Sequence, residues 1–356
     1  MRKLTYTQAI NEAIDQSMEK DPRVMVIGEG VPDPKAIFGT TEGLLLKYGA
    51  ERVMDMPLSE NALTGACIGA ALRGFRPILV HQRIDFTLLS FDQIANVAAK
   101  WYYIFCGQQS VPLVIRMIIG RGWGQGAQHS QSLQALYGHI PGLKVVMPAT
   151  PFDAKGMLIA SVRDNNPVIF IEHRWLHNIS GSVPKRYYSV PLNKAKLVKK
   201  GSDITLVSSS YMTIEGLRAA HILRSEKIKV ELIDARSIKP LDTETVISSV
   251  KKTGRLIVAD TGYQTFGFAS EVIAQVCKKA FKFLKTAPCA ITLPDIPTST
   301  SIRETEKYYP TYIEIAESIL TMMKVNKEKI QHIVKVEKAK REIPSDVPDP
   351  AFTGPF

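Results

Sequence analysis

The first half of the chain alternates amphipathic helical patterns with short apolar runs. Over residues 6–20, Ile10, Ala13 and Ile14 recur at helical spacing, which predicts a helix with one buried face. The apolar runs predict buried strands at 24–28, 52–56, 76–81, 111–119, 144–147 and 168–172, with further helices at 61–73 and 91–100. Short buried strands separated by helices indicate an α/β fold with a doubly wound parallel sheet.

A stretch rich in proline, glycine and lysine interrupts this alternation at 178–200. A second, smaller α/β pattern follows, with predicted strands at 203–208, 229–234 and 255–260 and predicted helices at 213–225, 243–252, 269–280 and 312–323. We therefore expect one domain over 1–185, a linker over 186–200 and a second domain over 201–325. Residues 326–356 are expected to form a basic helix and a proline-rich tail.

Composition narrows the class of protein. The 356 residues are 45% hydrophobic and 22% charged, and no apolar run reaches the roughly 18–20 residues that span a bilayer. The N-terminus has no apolar signal core, so we expect a cytoplasmic protein without a membrane partner. The four cysteines form no CxxC pair, which disfavours a zinc site or a disulfide framework.

The net charge of +11 is densest from Lys324 to Arg341, where lysines are interspersed with glutamates. A solvated helix face is the favoured interpretation over a nucleic-acid-binding arm, and an acidic partner subunit is a third alternative. We expect no nucleic-acid partner, because the charge is not gathered into a patch with aromatic residues.

Reactive side chains follow several of the predicted strands, where doubly wound sheets place their ligands. Glu29, Glu60 and the pair Asp85-Phe86 come after three successive strands, and a glycine-rich loop, 120–126, leads to His129. The loop lacks the Gly-Lys-Ser/Thr ending and the strand context of a nucleotide fingerprint.

Two of these residues have alternative interpretations. Glu60 is either a carboxylate favoured by a helix dipole or a group for proton exchange beside an apolar helix. His129 is either a structural histidine or a reactive group on a mobile active-site loop.

From Asp55-Met56-Pro57-Leu58-Ser59-Glu60 onward the chain resembles a known family. Further matches are Gln128-His129-Ser130-Gln131, 139–148, 163–168, 234–242 and 294–298, in order and without a large gap from about 4 to about 323. The family is the β subunit of the thiamine-diphosphate-dependent decarboxylating component of 2-oxo acid dehydrogenases, of the pyruvate, branched-chain and acetoin types. The resemblance implies a pyrimidine-binding domain followed by a smaller transketolase C-terminal domain.

The resemblance also implies roles for individual residues. Glu60 matches the glutamate that hydrogen-bonds N1′ of the cofactor's aminopyrimidine, Glu29 a carboxylate of the same proton network, and Phe86 the aromatic residue that stacks on the pyrimidine. His129 matches a histidine that assists acyl transfer to a lipoyl group. The resemblance further implies a potassium site, mostly of carbonyl oxygens, whose positions are Leu113, Ser161, Asp164 and Asn166.

An absent motif implies that the active site is shared. The family holds the diphosphate through Mg²⁺ bound to a Gly-Asp-Gly motif, and this chain contains none. The resemblance therefore implies an α subunit that supplies Mg²⁺ and the diphosphate site, in an α₂β₂ heterotetramer, with a lipoyl acyltransferase core as a further partner. A split transketolase-like or acyl-transferring enzyme acting on a sugar, and a non-catalytic paralogue, are the alternatives.

One region departs from the family's usual pattern. Arg83 stands where pyruvate-type subunits usually have apolar or small residues, and Arg121 enlarges the loop before His129. Two guanidinium groups could bind a carboxylate or phosphate of the substrate, or could pair with carboxylates of the α subunit.

Overall fold

The computed structural model describes residues 2–33, 36–120 and 125–341. The strands are β1 Arg2–Thr5, β2 Val24–Gly28, β3 Val53–Met54, β4 Arg76–His81, β5 Val114–Ile119, β6 Lys144–Val146, β7 Val168–His173, β8 Ser180–Val183, β9 Lys196–Lys199, β10 Ile204–Ser208, β11 Val230–Asp234, β12 Ser237–Lys239, β13 Leu256–Tyr263 and β14 Cys289–Leu293. The α-helices are α1 Tyr6–Lys20, α2 Leu44–Tyr48, α3 Glu60–Leu72, α4 Ala99–Ile104, α5 Gln134–His139, α6 Pro151–Arg163, α7 Met212–Ile222, α8 Thr243–Thr253, α9 Phe268–Ala280, α10 Ile302–Thr305, α11 Tyr312–Met322 and α12 Lys327–Ala339. A π-helical stretch, Gln93–Ala98, runs directly into α4, so the helix predicted at 91–100 lies slightly later in the chain.

The first sheet has seven strands in the order β12-β6-β7-β5-β4-β2-β3. All neighbouring pairs are parallel except β12 with β6. Along β4, Ile78 and Val80 join the core under α1 and α6, while Leu79 joins the opposite core under α3. This alternation is what a strand buried on both faces requires, and it confirms the predicted doubly wound α/β fold.

Helix α1 shows how local sequence produces these elements. Thr5 accepts a hydrogen bond from the Gln8 backbone N–H, and the Gln8 side chain accepts one from the Thr5 backbone N–H, which forms a capping box. Ile10 and Ile14, one helical turn apart, are fully buried against the first sheet. The start and the buried face of α1 therefore follow from the residue pattern alone.

The second sheet has five strands in the order β14-β13-β10-β11-β9. Strand β9 lies inside the segment predicted as a linker, 186–200, and pairs antiparallel with β11 at the edge of the sheet. Lys196 and Lys199 suit an edge strand, because charged side chains there oppose pairing with other chains. Strand β12, by contrast, belongs to the second half of the sequence but pairs with β6, so it extends the first sheet.

Helix α12 is the predicted basic helix, and Ile330 on its inner face is buried in the core of the second sheet. The proline-rich tail lies outside the described residues from 342 onward. Within the described part of the chain, no helix is both long enough and apolar enough to cross a membrane.

Candidate active site

The topology of the first sheet gathers the predicted site residues at one edge. Strands β5, β4, β2 and β3 are neighbours and run parallel, so their carboxyl ends share that edge. Glu29 follows β2, Glu60 follows β3, Phe86 follows β4 and His129 follows β5. Four segments that are far apart in sequence thus place the predicted site residues at the carboxyl ends of neighbouring strands.

Glu60 is the first residue of α3 and is 7% exposed. The Glu60 backbone carbonyl accepts a hydrogen bond of 2.7 Å from the Thr64 hydroxyl one turn later. The helix thus fixes the backbone of Glu60, so its carboxylate is presented from a rigid element.

Glu29 is electrostatically coupled to Glu60. Burial raises the pKa of Glu29, and the negative charges of Glu60 and Asp55 raise it further. One carboxyl oxygen of Glu29, Oε1, is buried without a hydrogen-bond partner among the described residues. A buried polar atom without a partner fits a site that is completed by a polar ligand atom.

The backbone around Glu29 is held by two residues that we did not predict as site residues. Asp55 Oδ1 accepts hydrogen bonds from the backbone N–H groups of Gly30 (2.8 Å) and Met56 (2.9 Å). The Gln82 amide donates to the Glu29 carbonyl at 3.1 Å. Asp55 is the first residue of the motif that ends in Glu60, and its place in that motif was the signal by which the sequence could have indicated it.

Phe86 and His129 lie in contact. Phe86 is half-buried, and the exposed His129 imidazole stands edge-on to it, with ring centroids 5.3 Å apart and planes at 86°. His129 occupies a short 3₁₀ turn, Ala127–His129. The exposed position of His129 agrees with a group that meets a second substrate, rather than with a structural core histidine.

Arg83 is buried and bonded within its own chain. It is 3% exposed, and its guanidinium donates to the Gly120 carbonyl and to Gln125 Oε1, both at 2.5 Å. Burial lowers the pKa of Arg83 to about 10, so the group remains charged at neutral pH. Arg121, the second guanidinium considered as a ligand of the substrate or of the α subunit, lies outside the described residues.

Sequence reasoning assigned no role to two polar anchors of the His129 region. Asp85 Oδ1 accepts hydrogen bonds from the Gln131 backbone N–H (3.2 Å) and side-chain amide (2.9 Å). Gln134, fully buried, donates to Asp260 Oδ1 (3.1 Å) within β13 of the second sheet. Asp85 was visible as a polar residue after a strand, whereas nothing in the sequence indicated Asp260.

The residues expected around potassium lie around the turn between α6 and β7: Leu113 directly precedes β5, Ser161 is in the last turn of α6, and Asp164 and Asn166 are in the turn itself. The Leu113 carbonyl accepts from the Val168 backbone N–H (2.9 Å) and the Ser161 carbonyl from the Asp164 N–H (3.1 Å). Asp164 Oδ1 accepts from the Asn166 N–H at 2.9 Å. Each carbonyl oxygen keeps a second lone pair, so the carbonyls could serve as ligands of a monovalent cation.

Two protein cations already lie at that turn. Lys144 forms an ion pair with the Asp164 carboxylate, and Arg76 donates to the Asp164 carbonyl at 3.0 Å. The Asp164 carboxylate is therefore engaged by protein. Among the described residues, no cluster of three or more His, Cys, Asp or Glu side chains could hold a metal ion.

Comparison with known proteins gives two matching family models. The transketolase pyrimidine-binding domain matches residues 2–178, and the transketolase C-terminal domain matches residues 193–312. In overall structure the chain is similar to a split-gene transketolase described as an inactive β₄ tetramer, with a TM-score of 0.74, 20% identity, and coverage of 93% of this chain and 99% of that one. At this identity the likeness concerns the fold alone.

Three relatives illustrate the sequence similarity. The β subunit of acetoin:2,6-dichlorophenolindophenol oxidoreductase from Cupriavidus necator is 44% identical over 336 residues, covering 92% of this chain and 99% of that protein. The Bacillus subtilis protein of the same name is 38% identical, covering 90% and 98%. The β subunit of the pyruvate dehydrogenase E1 component from Rickettsia conorii is 38% identical, covering 89% and 97%.

Proposed function

Because this chain belongs to the transketolase-like family of E1 β subunits of thiamine-diphosphate-dependent pyruvate and acetoin dehydrogenases, we propose that it is the β half of an enzyme that decarboxylates a 2-oxo acid and transfers the acyl group. The observation that carries this proposal is the coupled pair of carboxylates, the buried Glu60 and the half-buried Glu29, at the strand ends that also present Phe86 and His129.

This chain would hold the aminopyrimidine end of the cofactor. Glu60 would hydrogen-bond to N1′, and Phe86 would pack on the ring. When bound, thiamine diphosphate supplies a nucleophilic carbon for the 2-oxo carbon and an electron sink as CO₂ leaves. Glu29, whose pKa is raised by burial and by Glu60, would keep a proton available next to Glu60 at a pH where an ordinary glutamate has lost it.

His129 would act later in the reaction, when the acyl group moves to its acceptor. Its exposed ring, close to Phe86, lies where an acceptor from solvent would meet the cofactor. A histidine at this point can give a proton to the acceptor atom that accumulates charge during the transfer. In the proposal the acceptor is a lipoyl group carried by an acyltransferase core.

An α subunit would complete the site with Mg²⁺ and the diphosphate-binding residues, in an α₂β₂ heterotetramer. Apolar side chains beside the site support a covering partner: Leu58 is 81% exposed two residues before Glu60, and Leu88 and Leu89 follow Phe86 with 42% and 61% exposed. Apolar side chains grouped around a site indicate a contact surface. The cytoplasmic location expected from the sequence is part of the same proposal.

A potassium ion in the turn between α6 and β7 is also proposed. The carbonyl oxygens of Leu113, Ser161 and Asp164 would be its ligands, because Lys144 engages the Asp164 carboxylate. The ion would stabilise the connection from α6 into β7 and would take no part in the reaction.

Co-expression with the α subunit, followed by a screen of 2-oxo acids and acetoin, tests the proposed function. We expect turnover with an artificial electron acceptor only when both subunits are present. Calorimetry should show tight binding of thiamine diphosphate by the complex and weak binding by this chain alone. Tight binding by the isolated chain would contradict the shared site, and a complex inactive with every 2-oxo acid and with acetoin would contradict the proposed reaction.

A further inference from the structure

The segment that carries His129 is bound to the end of β4 at two points. We call residues 125–134 the His129 segment. Arg83 donates one hydrogen bond to Gln125, at the start of this segment, and another to Gly120, at the end of strand β5. Charge-assisted hydrogen bonds from a buried guanidinium are among the stronger polar contacts in proteins. Arg83 therefore joins the end of β5 to the start of the His129 segment.

The second attachment lies on the other side of His129. Asp85 accepts two hydrogen bonds from Gln131, one from its backbone and one from its side chain. Because one side chain holds both groups of Gln131, it fixes the position and the direction of the backbone there. The next residue after Asp85 is Phe86, whose ring contacts His129. Residues 83–86 thus hold the segment before, at and after His129.

The far end of the segment is attached to the second sheet. Gln134 binds Asp260, which also accepts a hydrogen bond of 2.6 Å from Ser209. Near the start of the segment, a side chain at Gly126 would lie 2.7 Å from the Thr300 methyl group, so the backbone packs closely there. With its end held by the second sheet, the course of the segment past Phe86 depends on Arg83 and Asp85.

We propose that Arg83 and Asp85 are positioning residues that hold His129 against Phe86 and thereby set the rate of acyl transfer to the acceptor. This inference rests on the proposed function, since it assigns their effect to the step in which His129 acts. Displacement of a catalytic group by about 1 Å can lower a rate by about 100-fold. Decarboxylation depends on Glu60, whose backbone is held by α3 through Thr64.

The test uses the reconstituted αβ complex and two assays, acyl transfer to lipoamide and decarboxylation with an artificial electron acceptor. Arg83→Met keeps an unbranched side chain that is shorter by the guanidinium end, and it removes both hydrogen bonds. We expect acyl transfer to fall at least about tenfold and decarboxylation to fall less than about threefold. Arg83→Lys, which keeps the charge and can restore one bond, should recover part of the loss.

A matched control separates positioning from general stability. Arg52 also binds backbone carbonyls, those of Met18, Asp21 and Val24. It lies at the amino-terminal ends of β2 and β3, whereas the His129 segment follows the carboxyl end of β5. Arg52→Met should lower the unfolding temperature and leave the ratio of the two activities unchanged. An equal change of that ratio in Arg52→Met and Arg83→Met would overturn the positioning role.

Amide hydrogen exchange tests the inference without an activity measurement. In the complex, Arg83→Met should speed amide exchange across the His129 segment, and Arg52→Met should not. Added guanidinium ion should slow the exchange again in Arg83→Ala. Unchanged exchange in Arg83→Met and in Arg83→Ala would overturn the inference even if the enzyme were active. Faster exchange in a complex that is inactive with every 2-oxo acid would contradict the proposed function alone.

Discussion

The imidazole of His129 stands edge-on to the phenyl ring of Phe86, with centroids 5.3 Å apart and ring planes at 86°. This is a favourable geometry, because the positive edge of one ring faces the negative face of the other. Phe86 is the residue proposed to pack on the cofactor, and His129 the residue proposed to serve the acceptor. Their contact places the two parts of the reaction next to each other.

His129→Ala should impair acyl transfer more than decarboxylation. Loss of a general acid lowers a rate by about 100-fold or more, and we expect this loss in transfer to lipoamide. Decarboxylation measured with an artificial electron acceptor should change much less, because Glu60 and Glu29 remain. His332→Ala, which removes an exposed histidine on α12, is the control and should leave both rates unchanged. Equal losses in the two assays of His129→Ala would argue against its assigned step.

Glu60→Gln should abolish proton exchange at the reactive carbon of bound thiamine diphosphate. The substitution keeps the size of a side chain that is 7% exposed, so the fold should persist, while the carboxylate that exchanges a proton is lost. We expect a fall of about 100-fold or more, measured by deuterium exchange followed by acid quench and NMR. Glu51→Gln changes an exposed carboxylate near β3 and should exchange normally. Exchange at the wild-type rate in Glu60→Gln would remove Glu60 from this role.

Glu29 should titrate above its ordinary range, and its pKa should fall when Glu60 becomes neutral. Burial is the larger cause of the raised pKa and the charge of Glu60 is the second, so Glu60→Gln removes only part of the shift. Asp55→Asn should lower the pKa of Glu29 less, because the charge of Asp55 raises that pKa less than the charge of Glu60 does. Carboxyl carbon NMR of the full chain measures both. No change in either variant would show that the three carboxylates are not coupled.

Local patterns predicted the parallel sheet and the residues at the carboxyl ends of its strands. The secondary structure of β2, β4 and α1 follows from the hydrophobic pattern within each segment. The bounds Val24–Gly28, Arg76–His81 and Tyr6–Lys20 agree with the prediction at both ends. Strands β9 and β12 were not predicted, since each is three or four residues long and is defined by a partner strand distant in sequence. Pairing of this kind leaves no periodic signal in a single sequence.

The same limit applied to the candidate site. Glu29, Glu60, Phe86 and His129 could be named from their places after strands and from the family resemblance. The hydrogen bonds of Arg83 could not be predicted, because they depend on the tertiary position of residues after β5. From sequence alone, a guanidinium near a site is equally compatible with a substrate ligand. Asp260 reaches Gln134 only because the two sheets pack together. Contacts between segments distant in sequence were therefore the part that the sequence did not reveal.

Potassium ions should stabilise the chain more than sodium ions. An ion that binds only the folded state adds about 1–3 kcal/mol when its concentration is roughly ten to a hundred times its dissociation constant. We expect a higher unfolding temperature in potassium chloride than in sodium chloride at equal ionic strength, measured by scanning calorimetry. Pro167→Gly, which loosens the turn after Asn166, should reduce the difference between the two salts. Equal unfolding temperatures in the two salts would contradict a potassium site.

Asp234→Asn should make stability less dependent on pH. Asp234 ends β11, is fully buried, and has one oxygen, Oδ2, without a hydrogen-bond partner among the described residues. Burial and the nearby charge of Asp153 raise the pKa of Asp234 from 3.8 to about 7. The folded state thus favours the protonated carboxyl. Its contribution to stability is full below the unfolded pKa and is lost as the pH rises through the folded pKa.

Asp234→Asn should not lose this stability as the pH rises. The linkage amounts to about 4 kcal/mol over the range between the two pKa values, so wild type and Asp234→Asn should differ little at about pH 4 and most at about pH 8, where the variant unfolds at the higher temperature. Asn keeps the acceptor for the Arg236 backbone N–H, which is 2.9 Å from Oδ1. Asp92→Asn, at an exposed carboxylate, should leave the pH dependence as it is in the wild type. Parallel curves of unfolding temperature against pH for Asp234→Asn and wild type would show that Asp234 is not held protonated in the folded state.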